Sequence, residues 1–223
     1  MSNPIKPTFK TEFLPILLVL FAILASFYFY PRFPDKVPIH WNIAGEVDNY
    51  GSRTTGAFLF PAIILGMYLL FLVLPYIDPK KKRYEQFRKV YHVFKNVLVF
   101  FMVALYFITS LNALGYQIPV GLWTPILVGL LFIIIGNYMG KIKSNWFIGI
   151  RTPWTLSSEE VWNKTHRFGG KVFILGGILM MSMYLLPARL QLILFVFIIS
   201  FILLGTIGYS YILYRKENKK RVN

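Results

Sequence analysis

Leu190-Gln191-Leu192-Ile193-Leu194-Phe195-Val196-Phe197-Ile198-Ile199-Ser200-Phe201-Ile202-Leu203-Leu204-Gly205-Thr206-Ile207-Gly208-Tyr209-Ser210-Tyr211-Ile212-Leu213-Tyr214 contains no Asp, Glu, Lys or Arg. At roughly 25 residues it reaches the upper length that a helix needs to cross a bilayer. Five further apolar spans precede it: Phe13–Tyr30, Gly56–Ile77, Val97–Leu114, Leu122–Asn137 and Val172–Leu186. The fourth and fifth are short and would cover only ~23 Å at ~1.5 Å per residue, unless polar flanks extend them, as the adjoining loop can do. Hydrophobic residues make up 56% of the chain and mean hydropathy is +0.56, far above what a soluble domain needs. The expectation is an all-α polytopic membrane protein with six transmembrane helices. The first span has a long apolar core, an aromatic end and no small-residue cleavage site, so it reads as a retained helix and not a signal peptide.

The net charge of +15 orients this bundle. Of the 24 Lys and Arg, all but Arg32, Lys36, Arg53 and Arg189 fall before span one, between spans two and three, between four and five, or after six. Short basic loops resist translocation, so both termini are expected in the cytoplasm. The same residues are scattered over separate juxtamembrane segments with no nucleic-acid-binding motif, which argues against direct nucleic-acid binding. Cysteine is absent, which removes disulfides, thiolate metal sites and a Cys nucleophile. Charged residues are also missing from the spans as drawn, a pattern that weighs against pumps and charge-coupled transporters.

Two regions organise the chain: residues 1–115, three helices with an extracytoplasmic loop over 31–55, and residues 116–223, three helices with a cytoplasmic loop over 138–171. Between spans two and three, Tyr84, Phe87, Val90, Tyr91 and Phe94 recur at helical spacing among basic residues, as in an interfacial or extended helix leading into span three. Tight turns at Gly115–Pro119 and Pro187–Arg189 predict helical hairpins. Gly136-x-x-x-Gly140 would let two helices approach closely, a pattern common in membrane sequences.

In the extracytoplasmic loop, Pro38-Ile39-His40-Trp41-Asn42 is followed by Gly45, Glu46 and Asp48. His40, Glu46 and Asp48 are donors that a divalent ion would use, but their spacing matches no metal motif. The favoured reading makes Asp48, Asn49 and Gly51 turn formers, sets Trp41 and Tyr50 at the membrane interface and bonds His40 to backbone. A docking surface for an extracellular peptide, needing aromatic contacts on rigid backbone, is compatible with it.

The cytoplasmic loop carries Trp146-Phe147-Ile148-Gly149-Ile150-Arg151-Thr152-Pro153-Trp154-Thr155-Leu156-Ser157-Ser158-Glu159-Glu160-Val161-Trp162. Thr152-Pro153 biases the backbone toward extended or turn geometry. Ser157 and Glu160 form a capping-box pattern for a following helix. Trp146, Trp154 and Trp162 suit an interfacial helix, and Gly169-Gly170 a hinge or close-packing point. Arg151, among apolar groups, needs a partner in Glu159, Glu160 or a lipid phosphate. Catalysis is poorly supported: Glu159 and Glu160 would point about 100° apart on a helix, His40 and His166 lie on opposite sides of the membrane, and no nucleophile-elbow, zinc-protease or phosphate-loop motif occurs. No catalytic residue, cofactor or metal ligand is assigned.

At these loops the chain resembles the SdpI family of bacterial membrane immunity proteins. The resemblance rests on Gly136 to Leu156 with its Ile-Gly-Ile-Arg-Thr-Pro-Trp-Thr run, then Glu160-Val161-Trp162 and Thr165-His166-Arg167. The Pro38–Asn42 loop with Gly45 and Asp48 is similar to the domain of unknown function that often accompanies the family. The resemblance implies a multi-pass protein of the bacterial cell membrane, without enzymatic activity, that gives immunity to a secreted membrane-active peptide toxin. It also implies a relay in which a small ArsR-type repressor is held at the membrane. On that reading Pro38, His40, Trp41, Asn42, Gly45, Glu46 and Asp48 face the toxin, and Trp146, Gly149, Arg151, Thr152, Pro153, Trp154, Glu160, Trp162 and Arg167 form the cytoplasmic output. The alternatives are a small-molecule transporter or permease component and a structural membrane protein.

Overall fold

A backbone in hydrocarbon must satisfy its own hydrogen bonds, which selects helices, and the computed structural model, which describes residues 4–222, is built accordingly. Its elements are α1 (Phe9–Phe29), strands β1 (Lys36–Trp41) and β2 (Val47–Ser52), α2 (Arg53–Ile77), α3 (Arg88–Ala113), α4 (Val120–Met139), the short α5 (Pro153–Ser157), α6 (Glu159–Ser182) and α7 (Ala188–Val222). All but α5 of these helices are long and apolar enough to cross a membrane, six in number. Burial is inverted relative to a soluble protein: Leu24 (68%) and Leu204 (71%) are exposed on helix faces turned to lipid.

The helices overrun the apolar spans. α1 begins at Phe9, where the Thr8 side chain accepts from the Thr11 amide. α3 follows a 3-10 segment, Lys81–Phe87, and starts at Arg88, so its first turns carry Tyr91, Phe94 and Lys95 into the protein, all buried. α6 recruits residues 159–171 from the cytoplasmic loop, which lengthens the short fifth span to 24 residues, or ~36 Å. Its N-cap is Ser158, whose side chain accepts from the Val161 amide, and not Ser157. Thr152 and Thr155 have already built a capping box around the separate helix α5, which ends at Ser157.

The extracytoplasmic loop is an antiparallel hairpin, with Lys36 opposite Ser52 and Trp41 opposite Val47 and a register irregularity around His40. Asp48, Asn49 and Gly51, expected in turns, are strand residues. The turn is made by Asn42, whose side-chain oxygen accepts from the Ala44 and Glu46 amides, with Gly45 at φ +80°. Val37 fastens the hairpin to the bundle: it is buried with Phe29, Phe33 and Tyr106 and fills the space beside Gly56, where a Cβ would lie 2.5 Å from it.

α1, α2 and α3 pack around Val19, Ala22, Ile64 and Val99. In the second region α4 and α6 meet backbone to backbone. A Cβ on Gly136 would lie 2.6 Å from the Gly170 carbonyl oxygen, and one on Gly177 would lie 2.5 Å from that of Gly129. Small residues at such crossings let van der Waals contact drive association, which lipid cannot supply by hydrophobicity. Gly170 is therefore a close-packing point, whereas Gly140 faces the Arg167 side chain. Substituting Gly136→Leu is expected to lower the thermal midpoint in detergent by the equivalent of about 1–3 kcal/mol of overpacking. Gly205→Ala, on α7 with nothing within 4 Å, should stay neutral or gain up to ~1 kcal/mol from helix preference; equal effects of the two would refute the glycine contact.

Candidate functional site: two loops joined through the bundle

On the extracytoplasmic side, His40 Nδ1 lies 2.5 Å from Asp48 Oδ1, so the imidazole is paired with a carboxylate across the hairpin and not with backbone. Glu46 turns away and accepts from the Asn42 side-chain amide at 3.0 Å. The donors considered for a metal are thereby split, and among the described residues no group of three His, Cys, Asp or Glu has the geometry to hold one. Pro38 and Trp41 line a small cavity of about 100 Å³ between the hairpin, α2 and α3. At the hairpin tip Gly45 touches Gly121 near the start of α4: a Cβ on Gly45 would lie 2.8 Å from the Gly121 Cα. The hairpin thus reaches from the first region to the second.

On the opposite face the Trp146–Trp162 run is folded back on itself and tied to the first region. Asn145, fully buried, accepts from the Phe147 and Ile148 amides and donates to the Lys143 and Ile148 carbonyls. The Trp146 amide donates to Asp78 Oδ2 at 2.9 Å, and Tyr84 Oη donates to the same atom at 2.9 Å. Lys80 Nζ donates to Ser144 Oγ at 2.8 Å, and Arg83 pairs with Glu159 at 3.1 Å. This last pair is half exposed and contributes at most about 1 kcal/mol. Arg151 is held by the carbonyl of Trp146, to which Nη1 donates at 2.6 Å. Neither glutamate is its partner, because Glu159 is taken by Arg83 and Glu160 by Lys164.

His166 locks the run to α6. Its Nε2 accepts from the Ile150 amide at 2.9 Å and its Nδ1 faces the Trp162 carbonyl at 2.8 Å, which fixes a neutral ring protonated at Nδ1. Gly149, at φ +113°, passes so close that a Cβ would collide with Nε2. Trp162, expected at the membrane interface, is instead wholly buried, stacked on His166 with 4.0 Å between ring centroids, and its indole N–H donates to the Ile142 carbonyl. Trp146 alone of the three indoles is largely exposed, at 45%; Trp154 rests on Tyr211 of α7. Pro153 opens α5, and buried Thr152 Oγ1 lies 3.1 Å from Ser210 Oγ of α7. Ser158, the cap of α6, donates to Glu217 at 2.5 Å. Arg167 packs along Gly140.

A feature that the apolar-span reading excluded is a buried ion pair. Lys95 Nζ lies 2.5 Å from both carboxylate oxygens of Glu12, and Tyr68 Oη donates to that carboxylate at 3.0 Å, joining α3, α1 and α2. Uninterrupted hydrophobicity stops at a charge, so each apolar run ends short of its helix. Continuing the helices by one or two turns brings each charge to its partner, and the first turn of α1 favours a carboxylate. Helical spacing of Tyr91, Phe94 and Lys95 was the available signal, but nothing local to Glu12 names a partner 83 residues away.

The assembly defines a class: a multi-pass membrane protein with a β-hairpin at one end of its helices and a basic, tryptophan-bearing run at the other. Residues 141–212 match the SdpI/YfhL protein family, and residues 17–65 match a domain of unknown function, DUF1648. The chain is 30% identical over 213 residues to Immunity protein SdpI of Bacillus subtilis (strain 168), covering 95% of this chain and 100% of that relative. It belongs to the SdpI family of membrane immunity proteins, which is not a known enzyme family. No solved structure matches it.

Removing one member of the ion pair leaves a buried charge, at a cost of about 3–5 kcal/mol. Glu12→Gln should therefore unfold at markedly lower temperature in detergent, whereas Glu12→Gln combined with Lys95→Met should recover most of the loss. A double variant as unstable as the sum of the singles would show that the two residues act separately.

Proposed function

We propose that this protein protects its cell from a secreted, membrane-active peptide toxin, engaged at the hairpin face bearing Pro38, His40, Trp41, Asn42, Gly45, Glu46 and Asp48. The observation that carries the reading is the similarity to Immunity protein SdpI over the whole of that relative, since it spans both the hairpin and the Trp146–Trp162 run. The two regions, 1–115 and 116–223, then divide into a sensing part and a reporting part. Deleting the gene should sensitise cells to peptide toxins of their own or related strains; unchanged survival across a panel of such toxins would sink the reading.

We further infer a relay, in which the cytoplasmic run with Arg151 and Arg167 holds a small ArsR-type repressor at the membrane when toxin is bound. Its support is α4, a single helix that begins beside Gly45 of the hairpin and ends at Met139, ahead of the run. Arg151→Ala should lower the membrane-bound fraction of such a repressor while toxin resistance and protein abundance hold. If abundance collapses instead, the guanidinium serves only to close the loop on the Trp146 carbonyl. A transporter reading keeps one supporting observation, the ion pair Glu12–Lys95 within the helices, because intramembrane charges commonly mark ion pathways. Solute flux through the purified protein in liposomes, abolished in the folded double variant Glu12→Gln, Lys95→Met, would favour it over immunity.

A further inference from the structure

Beneath the Trp146–Arg151 run lies an apolar groove of about 360 Å³, between α2 and α3 on one side and α4 and α6 on the other. Its walls include Leu70, Leu74, Phe94, Phe147 and Ile148, and Leu70 at its lip is 52% exposed. The groove sits at the ends of α2 and α4 and the beginning of α3, hence at the depth where acyl chains meet headgroups on the basic, cytoplasmic face. Such a slot in a bilayer is filled by hydrocarbon, since water has too few polar partners there.

The run that lines the slot also carries a charge preference. Arg151 is exposed and spends one of its five N–H donors on the Trp146 carbonyl. Lys80 gives one donor to Ser144 and stands 5.9 Å from the centroid of the exposed Trp146 ring. The neighbouring acid, Asp78, is buried and its oxygens already accept from Lys80 N, Tyr84 and Trp146 N. Two cations with donors left over therefore meet Trp146, one at its ring and one at its carbonyl, and Trp146 and Arg151 flank the stretch Phe147–Ile150 that lines the slot. We propose that this groove binds one anionic phospholipid of the cytoplasmic leaflet, with an acyl chain between Leu74, Phe94 and Phe147 and the headgroup phosphate held by Lys80 and Arg151. The site does not depend on the immunity reading and can exist without a toxin or a repressor.

The test is native mass spectrometry of the full chain in detergent micelles, titrated with phosphatidylglycerol or with phosphatidylcholine of the same acyl chains. One phosphatidylglycerol should be retained in preference to phosphatidylcholine. The pair Lys80→Gln and Arg151→Gln should weaken it roughly thirtyfold, at about fivefold for each cation removed near a headgroup. Leu70→Trp, which blocks the lip, should reduce retention of both lipids, and Arg189→Gln on the far face should change neither. Helix content by circular dichroism accompanies each variant; should the charge pair lose its helix, the Leu70→Trp result decides. Equal retention of the two lipids, unchanged affinity in a folded charge variant, or displacement of phosphatidylglycerol by inorganic phosphate at the same concentration would overturn the proposal.

Discussion

A carboxylate at the end of α2, Asp78, is only 2% exposed and accepts three hydrogen bonds: from the Lys80 amide, the Tyr84 hydroxyl and the Trp146 amide. A buried carboxylate persists only when its lone pairs are used, so Asp78 constrains everything around it. It bends the chain into the 3-10 segment after α2, seats Tyr84 in the core and fastens the start of the Trp146–Trp162 run to the first three helices. Without it the run would lose the hydrogen bond from the Trp146 amide that anchors its start to the first three helices. With it, Lys80 and Arg83 fall beside Ser144 and Glu159, and the two regions of the chain share one cytoplasmic surface.

That surface has a counterpart across the bilayer. The Gly45 turn rests on Gly121, so the hairpin of the first region touches the first turn of α4, and α4 in turn lies against α6 through glycines that admit no side chain between them. Membership of the SdpI family gives this arrangement its context. The hairpin lies within the stretch matched by the domain of unknown function and the run within the stretch matched by the SdpI/YfhL family, and one packed path joins them, hairpin to α4 to the run that His166 and Asn145 hold in shape.

Much of the fold was legible because its driving force is written residue by residue. Each span announces itself by length and apolarity. What stayed hidden depends on distant partners. Glu12 and Lys95 looked like polar flanks because each lies outside an apolar run, and only folding brings them together. The same locality misled at the loops. Asp48 and Asn49 have turn-forming composition, yet Val37 packing on Gly56 and cross-strand pairing hold them in a strand. Trp162 has the chemistry of an interfacial anchor, but the Ile142 carbonyl supplies its indole with a buried acceptor. Arg151 was recognisable as a residue needing a partner; that the partner would be a carbonyl only five positions away is a property of the Gly149 backbone, which no side-chain pattern records.

α7 runs unbroken for 35 residues, roughly 52 Å at helical rise, against a hydrocarbon thickness of about 30 Å. The surplus emerges on the cytoplasmic side as a stalk, and beside the stacking of Tyr211 on Trp154 two of its side-chain hydrogen bonds land on helix caps: Ser210 on Thr152 of α5, Glu217 on Ser158 of α6. A rod clamped at two points along its length transmits torque. The starting points of α5 and α6 are thus both referenced to one helix, so a rotation of α7 about its own axis would be felt at the two caps together.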